Sequence, residues 1–389
     1  MSNFGFATRA VHAGQEADGV TGAVIPSISV STTFKQNAPG EPIGPYDYSR
    51  SGNPTRIAFE QAVASLEGAK HGLAFSSGSA AIATIVNMFS PGDHLISVND
   101  VYGGTNRYFT RVAKPHGIET TFVDITEASA LPASVRPNTK VVWIETPTNP
   151  TLRVIDIAAV AALVREHAPQ AILVIDNTFL SPYFQNPLKL GADIVLHSVT
   201  KYLNGHSDAV MGALAMNDDA LFQKLKFLQN AIGAVPSAFD CFLANRGLKT
   251  LHVRMEQHQK NAIAVANFLA ASPLVDEVIY PGLASHPQHE IAARQQSGFG
   301  GMVSFRIKGD LATATRFFQH TRIFALAESL GGVESLAELP SVMTHAALTP
   351  EERATLGITD TLIRLSCGIE DAVDLVEDLR HALEAAQQA

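Results

Sequence analysis

A lysine follows an apolar segment in ADIVLHSVTKYLNGHSD, where Ser198 and Thr200 come just before Lys201. Burying a lysine costs free energy unless a partner uses its amine. A lone lysine after a strand is usually a surface-loop residue, so its neighbours must decide between that reading and a functional one. Asp176 is the first such neighbour, because it ends another apolar segment, AILVID, earlier in the chain.

Lys201 and Asp176 together suit a site for pyridoxal 5'-phosphate (PLP). A lysine amine forms a Schiff base with the aldehyde of this cofactor, and a carboxylate keeps the pyridine nitrogen protonated so that the ring accepts electrons. An N-cap or turn role is the alternative for Asp176 alone. In sheets of parallel strands, catalytic groups gather where the carboxyl ends of the strands meet.

The stretch FSSGSAAIATIV supplies a candidate site for the phosphate. A strand runs into Gly78 and Ser79, and a helix is predicted to begin there. Backbone N–H groups at a helix N-terminus bind anions, although Ser and Gly open many helices that bind nothing. The hydroxyls of Ser198 and Thr200, beside the lysine, are placed to donate to the same phosphate.

Three further side chains suit this site. Tyr102, followed by Gly103 and Gly104, either stacks on the cofactor ring or is simply half-buried. Asn149 lies between two prolines in ETPTNP and is a candidate to hydrogen-bond the phenolic oxygen of the cofactor. Arg364 stands inside the apolar strand TLIRLSCG, where it either forms an internal salt bridge or clamps a substrate carboxylate.

Alternating strands and helices must position these residues. Residues 1–55 are rich in Gly, Pro, Ser and Thr, which predicts an extended arm with turns. Over residues 56–250, apolar strands alternate with helices, which predicts an α/β domain with a mostly parallel, seven-stranded sheet. One long helix is predicted over 246–270. It leads to a smaller α+β domain over 251–389, which has three strands of its own and a final helix.

Composition and charge exclude several classes of protein. The 389 residues carry a net charge of −9, which argues against a nucleic-acid partner. No stretch approaches the roughly 18 apolar residues of a membrane span, and the start, MSNFGFATRAVHAGQE, has no signal-peptide core. Cys241 and Cys367 lie far apart in the sequence, which fits a reducing compartment. We therefore expect a soluble, cytoplasmic protein.

Metal and nucleotide sites are not expected. The two histidines of HPQH lie in a loop without identifiable further ligands, so we expect no metal. The chain contains neither GxGxxG nor the P-loop pattern of nucleotide sites. A non-catalytic α/β binding protein is the alternative from outside the enzymes.

A resemblance to a known family runs from about residue 8 to the C-terminus. The stretches that carry it are YSRSGNPTR, FSSGSAA, VYGGTNRYF, WIETPTNP, VIDNTFLSPYFQNPLKLGADIVLHSVTKYLNGHSD, RGLKTLHVRMEQHQKNA, YPGLASHPQH and LAESLGGVESL. They resemble the Cys/Met-metabolism family of PLP-dependent enzymes. The resemblance implies PLP as cofactor and the aspartate-aminotransferase-like fold, PLP-dependent transferase fold type I. It also implies a homotetramer, a dimer of dimers with shared active sites.

The resemblance also implies roles for individual residues. Lys201 would carry the Schiff base and transfer protons, Asp176 would pair with the pyridine nitrogen, and Tyr102 would stack on the ring and take part in catalysis. The other residues implied to hold the cofactor are Gly78, Ser79, Ser198, Thr200 and Asn149, with Tyr48 and Arg50 from the arm of a neighbouring subunit. The residues implied to bind substrate are Arg364, Ser329, Asn149, Glu328, Arg107, Asp47 and Tyr48.

Within the family, the motifs are most similar to members that split L-cystathionine by α,γ-elimination into L-cysteine, 2-oxobutanoate and ammonia. Gly104 stands where members acting on methionine usually have a cysteine, and Leu330 where β-lyases of the family often have a tryptophan. Asp47 and Glu328 suit the distal ammonium of cystathionine, and Arg107 suits its distal carboxylate.

A second activity stays open within the family. This alternative is γ-replacement, in which cysteine displaces the acyl group of O-acyl-homoserine. Asp47, before YSR, favours the replacement, whereas the GAVPS turn in NAIGAVPSAFDCFL favours the elimination. We expect the elimination.

Overall fold

The N-terminal region contains little regular structure. A computed structural model describes residues 3–346 and 348–388. Helix α1 spans Phe6–His12, and a hairpin pairs strand β1 (Gln36–Ala38) with strand β2 (Glu41–Pro42). Helix α1 was not expected in an irregular arm; it forms because Ala10 gives it a buried face. The contact between residues 1–55 and a neighbouring subunit stays a prediction.

Among the described residues, seven strands form the central sheet, as predicted. In chain order they are β3 (His71–Phe75), β4 (His94–Val98), β5 (Glu119–Val123), β6 (Thr139–Glu145), β7 (Ile172–Asp176), β8 (Ile194–Ser198) and β9 (Gly212–Met216). Their spatial order is β3-β9-β8-β7-β6-β4-β5, and β9 is antiparallel to both of its neighbours while the other pairs are parallel. The sheet is therefore mostly parallel.

Apolar clusters cover both faces of this sheet. Leu73 and Phe75 belong to one cluster and Ala74 to another, because successive side chains of a strand face opposite sides. The helices of this part of the chain are α2 (Pro54–Glu67), α3 (Gly78–Val86), α4 (Gly103–Arg107), α5 (Ile157–His167), α6 (Ser181–Phe184), α7 (Asp219–Ile232) and α8 (Ala238–Leu248). Strands buried on both faces need continuous apolar runs, and those runs made the strands predictable.

The helical segment that begins with α4 changes its winding along its length. Helix α4 continues as a π-helical turn over Tyr108–Ala113 and then as a 3-10 turn over Lys114–His116. Pro115 lacks a backbone N–H and so cannot continue the α-helical hydrogen bonds. Gly117, at φ 83°, ends the segment in the left-handed conformation that glycine adopts easily.

The carboxyl ends of β6, β7 and β8 lie side by side. Glu145 is paired in register with Asp176, and Asp176 is paired with Leu196. Lys201 follows β8 in a turn, where its N–H donates to the carbonyl oxygen of Ser198 at 3.2 Å. The topology therefore places Asp176 and Lys201 at the same edge of the sheet.

The single helix predicted over residues 246–270 is wrong, because the chain forms two helices there. Helix α8 ends at Leu248, and helix α9 spans Leu251–Ala271. The N–H of Thr250 donates back to the carbonyl oxygen of Gly247 at 3.2 Å and so forms the turn between them.

Contacts with the loop under α8 explain the break between α8 and α9. Arg254 donates to the carbonyl oxygens of Gly247, at 2.8 Å, and Tyr202, at 2.7 Å. Gly247 itself lies directly against the backbone of Asn204, where a Cβ would not fit. One straight helix would lose these bonds, which hold the end of α8 beside the loop that carries Lys201.

A second sheet forms the smaller domain. In the described part of the chain its strands are β10 (Val275–Ile279), β11 (Met302–Ile307), β12 (Ala325–Leu326), β13 (Leu336–Glu338) and β14 (Leu362–Ser366), in spatial order β10-β11-β14-β13-β12. Its further helices are α10 (His289–Gln295), α11 (Leu311–His320), α12 (Pro350–Leu356) and α13 (Ala372–Ala386). Strands β10, β11 and β14 and helix α13 were predicted, whereas β12, β13 and α10–α12 were not. The boundaries at residues 55 and 250 stay predictions.

The longest helix given above is α9, with 21 residues, and it carries several charged side chains. Across residues 3–346 and 348–388, no helix combines the length and the apolar character that crossing a membrane requires.

Candidate active site

The amine of Lys201 lies against Ser329. Its Nζ donates a hydrogen bond to Ser329 Oγ at 2.6 Å. Burial, and then the positive charge of Arg364, lower the pKa of Lys201 to about 8, so a far larger fraction is neutral near pH 7 than for an ordinary lysine. Ser329 has φ 88°, a strained conformation for serine of the kind found at functional sites. Lys201 is therefore suited to act as a nucleophile and a base.

Asp176 is a buried carboxylate at the end of β7. Its Oδ1 accepts hydrogen bonds from the N–H of Thr178 at 3.0 Å and from the hydroxyl of Thr178 at 2.5 Å. Burial raises the pKa of Asp176, while the bonds from Thr178 and the nearby His197 oppose this shift. With Oδ1 fixed in this way, Oδ2 is left to meet a cationic nitrogen such as that of a protonated pyridine.

The N-terminus of α3 lies beside the lysine turn. Ser77 caps the helix by accepting the N–H of Ala80 at 3.0 Å. The N–H groups of Gly78 and Ser79 belong to the first turn, where no carbonyl of the helix can accept them. A Cβ on Gly78 would lie 3.5 Å from Ser198 Cβ, so the two segments are in contact. Together these groups fit a phosphate.

A cavity of 480 Å³ opens beside Thr200. It is lined by Thr200, Ser207, Asp208, Ala209, Val210, Ala327, Glu328, Ser329 and Leu336. The hydroxyl of Thr200 accepts the N–H of Met211 at 3.1 Å, so it is engaged with the backbone here. The volume is in the usual range for sites that bind small molecules, and Glu328 and Ser329 bring two predicted substrate contacts to its wall.

Arg364 is buried in β14 and is held by three neighbours. Its Nη1 donates to Asn149 Oδ1 at 2.9 Å and lies 2.9 Å from Glu338 Oε1, while Nη2 donates to the carbonyl oxygen of Ser329 at 2.5 Å. Its Nε is buried and has no acceptor among the described residues. Arg364 therefore forms the internal salt bridge of the first alternative and also has an unfilled donor, while its role as a clamp on a substrate carboxylate stays a prediction.

The ring of Tyr102 is 47% exposed at the start of α4. Its backbone N–H donates to Glu145 Oε2 at 2.9 Å, and a Cβ on Gly104 would overlap its ring. The ring thus occupies the space that a side chain at 104 would fill. Burial raises the pKa of Tyr102, and the charge of Arg107, in the last turn of α4, opposes this shift.

The predicted arm residues contact a different part of the chain. Arg50 Nε donates to Asn230 Oδ1 at 3.1 Å, and its guanidinium lies over the ring of Tyr48, 5.4 Å from the ring centroid. Asp47 Oδ1 accepts the N–H of Tyr48 at 2.6 Å. Among the described residues of a single subunit, none of these contacts brings the arm to Lys201.

Glu145 is a buried acid that the sequence reasoning missed. It is paired with Asp176 on the neighbouring strand, and it holds the backbone of Tyr102. Burial, and then the charge of Asp176, raise the pKa of Glu145 well above its usual range. The signal was available, because Glu145 ends the apolar strand TKVVWIE just as Asp176 ends ILVID.

Asp100 is a second missed acid, and it joins two loops of the site. Its Oδ2 accepts the hydroxyl of Thr148 at 2.6 Å and also the hydroxyl of Thr151. Burial raises the pKa of Asp100. Because Asp100 precedes Tyr102 and the two threonines flank Asn149, this carboxyl fixes one loop relative to the other.

The histidines of HPQH bond to backbone. A ring nitrogen of His286 donates to the carbonyl oxygen of Leu152 at 3.1 Å, and one of His289 donates to that of Pro281 at 2.8 Å. Within the described ranges, no group of three or more His, Cys, Asp or Glu side chains could hold a metal ion.

Known proteins are similar to this chain over almost its whole length. A family model described as Cys/Met metabolism PLP-dependent enzyme matches residues 7–384. The cystathionine gamma-lyase of Dictyostelium discoideum is 62% identical over 383 residues, which are 98% of each chain. The crystal structure of cystathionine gamma-lyase from yeast matches with a TM-score of 0.96, 55% identity and 99% of each chain covered. Cystathionine gamma synthase from Xanthomonas oryzae pv. oryzae, in complex with cystathionine, matches with a TM-score of 0.95, 47% identity and 99% of each chain covered.

The residues present fit PLP. The first turn of α3 offers amides to a phosphate, Lys201 offers an amine of lowered pKa, and Asp176 offers a buried carboxylate at the same sheet edge. The large sheet and the smaller domain have fold type I, which confirms the predicted fold class. The chain belongs to the Cys/Met-metabolism family of PLP-dependent enzymes.

Proposed function

We propose that this enzyme cleaves L-cystathionine by α,γ-elimination, in which one water is consumed and L-cysteine, 2-oxobutanoate and ammonia are released. One observation carries the proposal: Ser329 links Arg364 to Lys201. Its carbonyl oxygen accepts from Arg364 at 2.5 Å, and its hydroxyl accepts from Lys201 at 2.6 Å. A clamp for an α-carboxylate thus lies next to the amine that takes the α-proton. The relatives named cystathionine gamma-lyase support the choice of substrate.

The side chains divide the work. Arg364 binds the α-carboxylate through its guanidinium, which Asn149 and Ser329 hold in place, and keeps the substrate in one orientation. Lys201 Nζ, positioned by Ser329, removes the α-proton, passes that proton on, and as a neutral amine again removes a β-proton. When bound, PLP supplies an electron sink that spreads the charge left by proton removal. The Cγ–S bond then breaks, and the sulfur leaves with a proton as cysteine.

Other residues hold the cofactor and the distal half of the substrate. When PLP is bound, Asp176 would pair with its pyridine nitrogen, Tyr102 would stack on its ring and Asn149 would hydrogen-bond it, while Asn149 Oδ1 accepts a hydrogen bond from Arg364. The residues proposed to hold the phosphate are Gly78, Ser79, Ser198 and Thr200, with Tyr48 and Arg50 of a neighbouring subunit. The residues proposed to meet the distal ammonium and carboxylate are Glu328, Asp47, Tyr48 and Arg107.

The test is release of 2-oxobutanoate from L-cystathionine supplied alone to the PLP-loaded enzyme. Lys201→Ala should abolish both this release and the yellow absorbance of the enzyme, because no other amine takes the place of Lys201. Lys70→Ala, which removes an exposed lysine next to β3, is the matched control and should leave both unchanged. Full activity of Lys201→Ala would refute the proposal.

The γ-replacement is the second candidate, favoured by the match to cystathionine gamma synthase. The same enzyme is incubated with O-acyl-homoserine and cysteine, and cystathionine formation is measured against 2-oxobutanoate release from cystathionine alone. A larger kcat/KM for the elimination supports the lyase. Turnover that requires the acylhomoserine supports the synthase instead.

We also propose a homotetramer, a dimer of dimers in which the arm of each subunit completes its neighbour's site. The arm exposes apolar side chains that a partner would cover: Val20 is 95% exposed, Val24 75%, Val30 76% and Ile43 62%. Cytoplasmic localisation is part of the same proposal, supported by two buried cysteines that are not paired.

Mixing two inactive variants tests the shared site. If Arg50 acts in the neighbouring site, subunits with Arg50→Ala and subunits with Lys201→Ala should regain part of the activity when co-expressed. One kind of mixed site then has both residues intact. No regain, together with a monomer by size-exclusion chromatography, would contradict the proposal.

A further inference from the structure

Glu338 is a buried acid next to the carboxylate clamp that the scheme above does not use. It lies on β13 in register with Arg364 on β14, and it is 0% exposed. Its Oε1 lies 2.9 Å from Arg364 Nη1 and accepts the hydroxyl of Thr344 at 3.1 Å. Two bonds thus fix its orientation, and one of them joins it to the clamp.

The ion pair between Glu338 and Arg364 is incomplete. Among the described residues, Glu338 Oε2 and Arg364 Nε are both buried without a hydrogen-bond partner. Buried ion pairs give little net stability, and apolar residues of the same shape often replace them without loss. Unfilled polar atoms add a further cost. Stability alone therefore gives no reason for an acid at this position.

The charges of Glu338 and Arg364 both act on the amine of Lys201. At Lys201, the charge of Arg364 lowers the pKa and the charge of Glu338 raises it. The charged and titratable groups around Glu338 are Arg364, Lys201, Glu328, Tyr102 and His345. Glu338 is the one that forms a direct ion pair with the clamp, so its charge offsets that of Arg364 most directly.

We propose that Glu338 is a positioning residue that holds the guanidinium of Arg364 in place and tempers its grip on a substrate carboxylate. When a substrate binds, two carboxylates share one guanidinium, and their repulsion weakens binding. Release of a carboxylate product then becomes easier. The proposal rests on the proposed role of Arg364 in substrate binding.

The experiment compares Glu338→Gln with Glu338→Ala in the PLP-loaded enzyme. L-alanine is the probe, because it has an α-carboxylate but no γ-leaving group, and its binding is followed by the change in yellow absorbance. Glu338→Gln keeps a hydrogen-bonding side chain and removes the charge, so we expect the Kd for L-alanine to fall severalfold. Glu338→Ala also removes the side chain that holds the Arg364 guanidinium, so we expect the Kd of this variant for L-alanine to rise.

The pH dependence of the yellow absorbance is the second readout. In Glu338→Gln its midpoint should fall by about one pH unit, because a nearby negative charge no longer favours the protonated nitrogen at Lys201. Glu277→Gln is the matched control, since the exposed side chain of Glu277 pairs with Arg306 across β10 and β11 of the same sheet. This control should move neither readout.

The outcomes are separable from those of the proposed function, because neither readout needs cystathionine cleavage. An unchanged Kd and midpoint in Glu338→Gln, or a Kd that rises as in Glu338→Ala, would overturn the proposal. If Glu338 variants do not fold, Thr344→Val replaces them. It removes one bond to Glu338 and keeps both charges, so it should raise the Kd without moving the midpoint. An unchanged Kd in that variant would equally overturn it.

Discussion

Two Glu–Arg pairs lie across strands of the smaller sheet. They join the same two residue types but differ in burial and in how many of their hydrogen-bonding groups are filled. Glu277 and Arg306 have side chains 54% and 19% exposed, whereas those of Glu338 and Arg364 are 0% and 3% exposed. Arg306 uses Nε, Nη1 and Nη2 to bond Glu277, Thr359 and the carbonyl oxygen of Gly357. Arg364 leaves Nε unfilled.

The contrast distinguishes an ion pair that only joins two strands from one that has hydrogen-bonding capacity left for a ligand. The exposed pair is complete, and pairs of this kind contribute about 0–1 kcal/mol. The buried pair is desolvated and incomplete, and Ser329 links its arginine to the amine of Lys201. An unfilled donor in a buried pair therefore indicates a ligand more clearly than the pair itself does.

Removing Arg364 should have the largest effect. Arg364→Ala leaves Glu338 as a buried charge without its partner, which should cost about 3–5 kcal/mol of unfolding free energy. Loss of the carboxylate contact should also reduce kcat/KM by about 100-fold. Urea denaturation and steady-state kinetics measure the two effects. A variant with kcat/KM near that of the parent enzyme would show that the carboxylate binds elsewhere.

Replacing both members of the buried pair should separate stability from binding. Glu338→Leu combined with Arg364→Met should regain most of the stability lost in Arg364→Ala, because a buried ion pair can be exchanged for apolar residues. Catalysis should stay lost. The single variants are the controls, and a double variant less stable than Arg364→Ala would contradict this view of the pair.

The lowered pKa of Lys201 should appear as a pH dependence of about tenfold. Only a neutral amine attacks an aldehyde, and with a pKa of about 8 the neutral fraction rises from about one tenth at pH 7 to about nine tenths at pH 9. The rate of PLP attachment to the apoenzyme should rise over this interval and level off above it. A rate that keeps rising past pH 10 would indicate an ordinary lysine.

The exposed pair should give the smallest effect. Glu277→Gln should change the free energy of unfolding by less than about 1 kcal/mol, and the change should shrink in high salt because exposed charges are screened. Urea denaturation at low and high salt measures it. A loss of unfolding free energy as large as that in Arg364→Ala would show that the two pairs do not differ in their contribution to stability.

Much of the fold was predictable because local and tertiary requirements agree. Strands such as ILVID are buried on both faces, and their apolar runs show it in the sequence. The break between α8 and α9 was not predictable, because it depends on Arg254 reaching the carbonyl oxygens of Gly247 and Tyr202. No local pattern encodes such a contact.

The candidate site likewise contains some residues that the sequence could predict and others that it could not. Lys201 and Asp176 could be predicted from the sequence, because each follows or ends an apolar strand and each has an evident chemical use. Glu145 could have been found by the same pattern. Glu338 could not, since β13 has three residues and no strand signal. Its importance depends on register with Arg364, which only the folded sheet defines.

The ring of Tyr102 rests in the space left by the missing side chain of Gly104. Every mutation at this glycine adds at least a methyl group, and the tyrosine must then tilt or move away. The residue at position 104 therefore determines the angle of the Tyr102 ring, on which we propose that the cofactor stacks. One substitution at this uncharged position would therefore re-aim an aromatic ring and leave every charged residue as it is.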